Sequence, residues 1–136
     1  MGHRHQARVI AFQGVFSWEI NHLPAEQLLG FDWLDTEIKN PEIKDFASLL
    51  LAGTIEKVEE IDKIINDNID NWDFSRISKV DLAILRISIF SLKYQQDIPS
   101  IVTIDEAINL AREFGIDDSY RFINGVLDGI KKNLFN

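Results

Sequence analysis

Any chemistry in this chain has to come from three histidines, two early arginines and an aromatic residue near its end. His3, His5 and His22 all fall within the first 22 residues. His3 and His5 alternate close to a terminus, and a metal site needs more ligands in defined geometry. No metal is therefore expected. The pair reads as a solvated, partly frayed end, or as a minor cationic supplement to Arg4 and Arg8. Cysteine is absent, so neither a disulfide framework nor a thiolate site is possible. Asp105 and Glu106 could pass for paired carboxylates. Thr103 and Glu106, however, have the spacing of a capping box, which explains Glu106 better. There is no defensible Ser/His/Asp or Cys/His arrangement, and no glycine loop resembles a phosphate cradle. Nothing supports catalysis, and no cofactor is expected.

The segment "SYRFINGVLDGI" (119–130) raises a different chemistry. At about 100° per residue, Ile123, Val126, Leu127, Ile130 and Leu134 form one apolar stripe. Asp118, Phe122, Gly125 and Gly129 fall on another strip, roughly 130° away by the same spacing. Each glycine costs a helix about 1 kcal/mol relative to alanine, so the bare surface implies a close approach. Two readings stay open. A neighbouring helix packs there, or Phe122 is a platform for an unpaired base with Arg121 beside it and the RNA backbone close by. Base–aromatic stacking is worth about 1–3 kcal/mol per base.

The elements that would hold these residues are helical, because apolar spacing is helical nearly throughout and no window shows strand alternation. A first helix is predicted over about 4–21, with Val9, Phe12, Phe16 and Ile20 as its apolar stripe and Arg4 and Arg8 a turn apart, away from it. Pro24 opens a short helix over 25–30, and 31–40 is a connection. Asn40-Pro41 is a helix start, cap then proline, leading to about Gly53. A second run, 54–69, has an acidic, solvated outer face. "DNWDFSRIS" (70–78) is a polar link. From Ile77 to Tyr94 the pattern is apolar almost all round, as in a helix buried on most sides. Thr103 opens a helix to Phe114, Gly115 ends it, and Asp117, Asp118 or Ser119 caps the last one, to about Asn133. This is an all-α bundle of six to seven helices: one domain, residues 1–136, with an N-terminal subdomain over about 1–70 and a C-terminal one over about 71–136.

At 136 residues with 46% apolar content, a sizeable core is available. No apolar run approaches the roughly 20 residues of a membrane span, and no secretory signal pattern opens the chain, so a cytoplasmic protein is expected. The net charge of −8 argues against nucleic acid until its distribution is read. Residues 1–31 hold two acids and two bases, 32–73 hold twelve acids and four bases, and 74–136 hold eight of each. The whole excess lies in the middle, which leaves both ends free to form a locally positive surface.

Several blocks, in order, carry a resemblance. "RHQARVIAFQGVFSW" (4–18), "NWDFSRISKVDLAILRISIFSL" (71–92) with its Trp72, Asp81 and Leu85-Arg86, and "TIDEAINLAREFG" (103–115) followed by "SYRFINGVLDGI" resemble the bacterial transcription antitermination factor family NusB. The resemblance implies a fold of two small helical subdomains. Its implied partners are the ribosomal protein NusE, the boxA element of nascent, single-stranded RNA, and the RNA polymerase antitermination complex. By matching position it implies RNA contacts at Arg4, Arg8, Asp118, Ser119, Arg121 and Phe122. Phe16 and Asp81 are the positions chosen for NusE. A homodimer or protein–protein module of the same fold is the alternative. His3, His5 and Gln6 stand where the family often has arginines, so RNA binding is expected to lean on the partner. Arg86, inside the buried helix, is expected to pair with an acid.

Overall fold

The computed structural model describes residues 2–70 and 73–135, the side chain of Phe135 excepted. Trp72, one of the residues that carry the resemblance, lies outside them. Among the described residues there are seven α-helices and no strand: α1 (His3–Asn21), α2 (Ala25–Leu28), α3 (Pro41–Glu56), α4 (Val58–Asp67), α5 (Lys79–Tyr94), α6 (Ser100–Phe114) and α7 (Ser119–Ile130). A 3₁₀ turn over Phe74–Arg76 precedes α5, and a π-helical turn over Lys131–Phe135 follows α7.

Local chemistry sets several of the boundaries. The Asn40 side chain accepts from the Glu42 N–H at 2.9 Å with proline at the first position of α3. The Ser78 hydroxyl accepts from the Asp81 N–H at 3.1 Å and starts α5. Other boundaries depart from the pattern reading. The break between α3 and α4 falls at Lys57, not Gly53. Gly53 is internal because a Cβ there would lie 2.2 Å from Cζ of Phe90; only a bare backbone lets α3 reach the α5 ring. Helix α6 starts at Ser100, straight after Pro99, so Thr103 is not its cap. The Thr103 hydroxyl is buried without a partner among the described residues, and Glu106 reaches α1 instead.

The buried face of α1 keeps Phe12 from the predicted stripe but is shifted, leaving Val9 and Phe16 partly buried against the core. Ala7, Arg8, Ala11, Phe12, Gly14 and Val15 face inward, while Ile20 is exposed. The small residues decide this, because they let α3 come closest: a Cβ on Gly14 would be 2.9 Å from the Leu51 methyls. Helix α5 is buried from Asp81 to Leu92 and contacts α1, α3, α4, α6 and α7. It is the central helix around which one hydrophobic core closes. Its single guanidinium, Arg86, is buried and paired as expected: Nε and Nη2 donate to Asp62 at 2.9 and 2.8 Å, and Nη1 donates to Glu19 at 2.7 Å.

Candidate nucleic-acid interface

Arg4 and Arg8 lie one turn apart on α1, and both guanidiniums stand over the ring of Phe46 on α3, at 5.0 and 5.4 Å. Cation–π contacts of this kind contribute about 0.5–2 kcal/mol, more as water is excluded. The two arginines differ in exposure. Arg4 is open to solvent. Arg8 is only 6% exposed, which corrects its placement on an outer face. Burial holds the Arg8 pKa below the ordinary arginine value; Glu106, 3.9 Å away, opposes that shift and Arg4 adds to it. Nη2 of Arg8 is buried with no partner among the described residues.

His5 is not frayed. Its Nδ1 and the Glu106 carboxylate are 2.8 Å apart, and its Nε2 lies 3.9 Å from Glu113. This ties the first turn of α1 to two points on α6. Phe12 continues the link, its ring 5.0 Å from that of Phe114.

Asp118, Ser119, Arg121 and Phe122 gather at the start of α7. Asp118 occupies the capping position without a side-chain cap bond. Ser119 is buried, and its hydroxyl accepts from the Ile116 N–H at 3.1 Å, closing the α6–α7 turn. Arg121 is exposed, and its Nε donates to the Tyr120 hydroxyl at 2.9 Å. That bond, with Asp118 nearby, raises the Arg121 pKa. Phe122 is half-buried and packs against the core. It lies about 160° around α7 from Tyr120, whose ring meets Arg112 of α6. Helix α6 touches α1 through Glu106 and Glu113 beside His5, and α7 through Arg112 over Tyr120.

Phe16 is half-buried in an open apolar groove with Phe12, Trp33, Val80 and Phe114. Asp81 follows Val80 and is 8% exposed. Burial raises its carboxyl above the usual range, against hydrogen bonding from Ser119 and Ser78. Phe16 and the first turn of α5 thus share one groove.

The glycine question has a direct answer within this chain: a Cβ on Gly125 or Gly129 would meet nothing within 4 Å. Among the described residues no helix packs there, so that reading is corrected. Alanine at either position should stabilise the free protein by about 1 kcal/mol, read from thermal melts of single variants. A fall in RNA affinity in those same variants would mark the bare face as an RNA contact.

Phe46, Arg112 and Tyr120 went unrecognised as site residues. Arg112 and Tyr120 meet across a turn, their guanidinium and ring 4.7 Å apart, which no spacing announces.

Among the described residues there is no cluster that could hold a metal and no helix long and apolar enough to cross a membrane. Fold and site together define an all-helical binding module with cations stacked on aromatic rings. Residues 5–132 match the NusB family, and the chain belongs to that family. It is 48% identical over 129 residues to the transcription antitermination protein NusB of Treponema denticola, covering 94% of this chain and 95% of that one. It is 42% identical over 134 residues to that of Borreliella burgdorferi, covering 96% and 94%. A T. maritima NusB structure superposes with a TM-score of 0.87 at 35% identity, covering 96% of this chain and 91% of that one. A crystal structure of NusB and NusE in complex with dsRNA shares the fold at a TM-score of 0.88 and 24% identity, covering 97% and 98%.

Proposed function

We propose that this protein is a non-catalytic transcription antitermination factor of the cytoplasm. With NusE it binds boxA in nascent RNA, notably in ribosomal RNA operons, and thereby helps RNA polymerase pass terminators. The observation that carries the reading is the pairing of arginines with aromatic rings on a chain of net charge −8. Two such pairs, joined by α6, offer a local track for a polyanion on a molecule that otherwise repels one. Single-stranded RNA is favoured over a duplex because unpaired bases can stack on aromatic and guanidinium planes. The half-buried Phe122, with Arg121 and Asp118 beside it, has the composition for that. Arg8 is largely enclosed, so of the arginines expected at the RNA, Arg4 and Arg121 are the exposed ones.

NusE is assigned to the groove of Phe16, Trp33 and Val80; Asp81, the next residue along α5, is buried. An open apolar groove suits a protein surface more than RNA. The test is a titration of labelled boxA RNA with this protein, with and without NusE. Binding at modest salt, tighter with NusE and falling steeply as salt rises, is the expected result. No binding in either arm would favour the homodimer or protein–protein module instead.

A further inference from the structure

We infer that Arg112, on the exposed strip of α6, is an RNA phosphate contact and that Tyr120 is its positioning residue, so that bound RNA crosses α6 between two ring-braced arginine pairs. The inference rests on the RNA-binding reading above and adds the path. Arg112 stands 4.7 Å over the Tyr120 ring, and Arg121 stands 5.5 Å from the same ring while bonding its hydroxyl. Two guanidiniums are thus gathered on one side chain despite their mutual repulsion. Among the described residues neither has a carboxylate within 4 Å.

Of the neighbouring acids, Asp117 and Asp118 are exposed in the turn between α6 and α7, and Glu106 and Glu113 lie on α6. Glu106 and Glu113 both turn toward His5 on α1. Asp118 acts on Arg121 at longer range. The strip of α6 between the two arginine pairs is exposed at Asp105, Asn109 and Arg112, successive positions along one side of the helix. Asp105 is its one acid. Asn109 offers an amide that both donates and accepts, as base edges or phosphates require. Tyr120 matches Phe46 in role: each ring is a rigid plane that holds two flexible cations in one place, so less rotamer entropy is lost when an anion arrives.

The experiment uses the full chain with NusE and labelled boxA RNA across a salt series. Arg112→Gln should weaken binding several-fold and flatten the plot of log affinity against log salt by about 0.7, one phosphate on a single strand. Tyr120→Leu should flatten it as much or more, and Tyr120→Phe, which keeps the ring faces, should stay near wild type. A purely structural Tyr120 would lower the melting temperature in Tyr120→Leu and leave the salt slope alone. If wild type binds, Arg4→Gln flattens the slope and Arg112→Gln does not, the path across α6 is wrong while the RNA reading stands. If wild type does not bind at all, both fall together.

Discussion

Arg86→Ala is expected to lower the unfolding free energy by about 3 kcal/mol, a loss of about 10 °C in melting temperature for a domain of this size. Removing one partner of a buried ion pair costs about 3–5 kcal/mol, because the remaining charge is left without compensation. The low end applies here. Arg86 is 4% exposed, but the side chains of Glu19 and Asp62 keep 24% and 27% exposure, so water reaches the acids once the guanidinium is gone. The lost packing counts too, since the guanidinium lies 5.7 Å from the Trp18 ring. Against a typical total of about 5–15 kcal/mol, this would be the largest single stability effect among the variants considered. Denaturant melts check it, and a loss under about 1 kcal/mol would mean the network is not a major source of stability.

The same network sets an acid limb. Hydrogen bonding to Arg86 holds the Glu19 carboxyl below the ordinary range, with burial opposing. A carboxyl whose folded pKa is depressed contributes stability above its unfolded value. That contribution disappears as pH falls through the folded one. Wild-type stability should therefore decline from about pH 5 downward. In Arg86→Ala the decline should flatten, because Glu19 then gains nothing from staying ionised.

Arg86 also illustrates what the sequence could reveal. A charge inside an apolar helix must find a partner, so an acid was foreseeable. Which acids was not, since Asp62 and Glu19 lie 24 and 67 positions away. Boundaries fixed by neighbours in the chain were legible, as at Asn40-Pro41. Boundaries and faces fixed by packing were not. Gly53 lies inside α3 because its bare backbone makes room for the Phe90 ring rather than ending the helix. The inward face of α1 sets Ala7, Ala11 and Gly14 beside Phe12 and Val15, because small residues let α3 approach closely there. Glu106 shows the same conflict: a local capping pattern lost to a histidine 101 positions away. The candidate site follows suit. The start of α7 was legible as a contiguous segment, whereas Phe46 reaches Arg4 and Arg8 from α3, and Arg112 reaches Tyr120 from α6.

Phe122→Leu is expected to weaken boxA binding by about 1–3 kcal/mol, roughly 5- to 150-fold, while leaving the fold nearly as stable as wild type. The loss is that of one aromatic face for an unpaired base. Leucine is the informative choice because Phe122 packs against the core. Alanine would remove both the stacking face and the packing, and so confuse the two. Phe122→Trp offers a larger π surface and should bind at least as well where the site admits its volume. The salt series separates this residue from its neighbours. Stacking releases no counterions, so Phe122→Leu should shift the plot of log affinity against log salt downward without changing its slope. Arg4→Gln should flatten that slope by about 0.7. Equal affinity of Phe122→Leu and wild type, measured with NusE present, would remove the aromatic platform from the mechanism and leave RNA held by its phosphates alone.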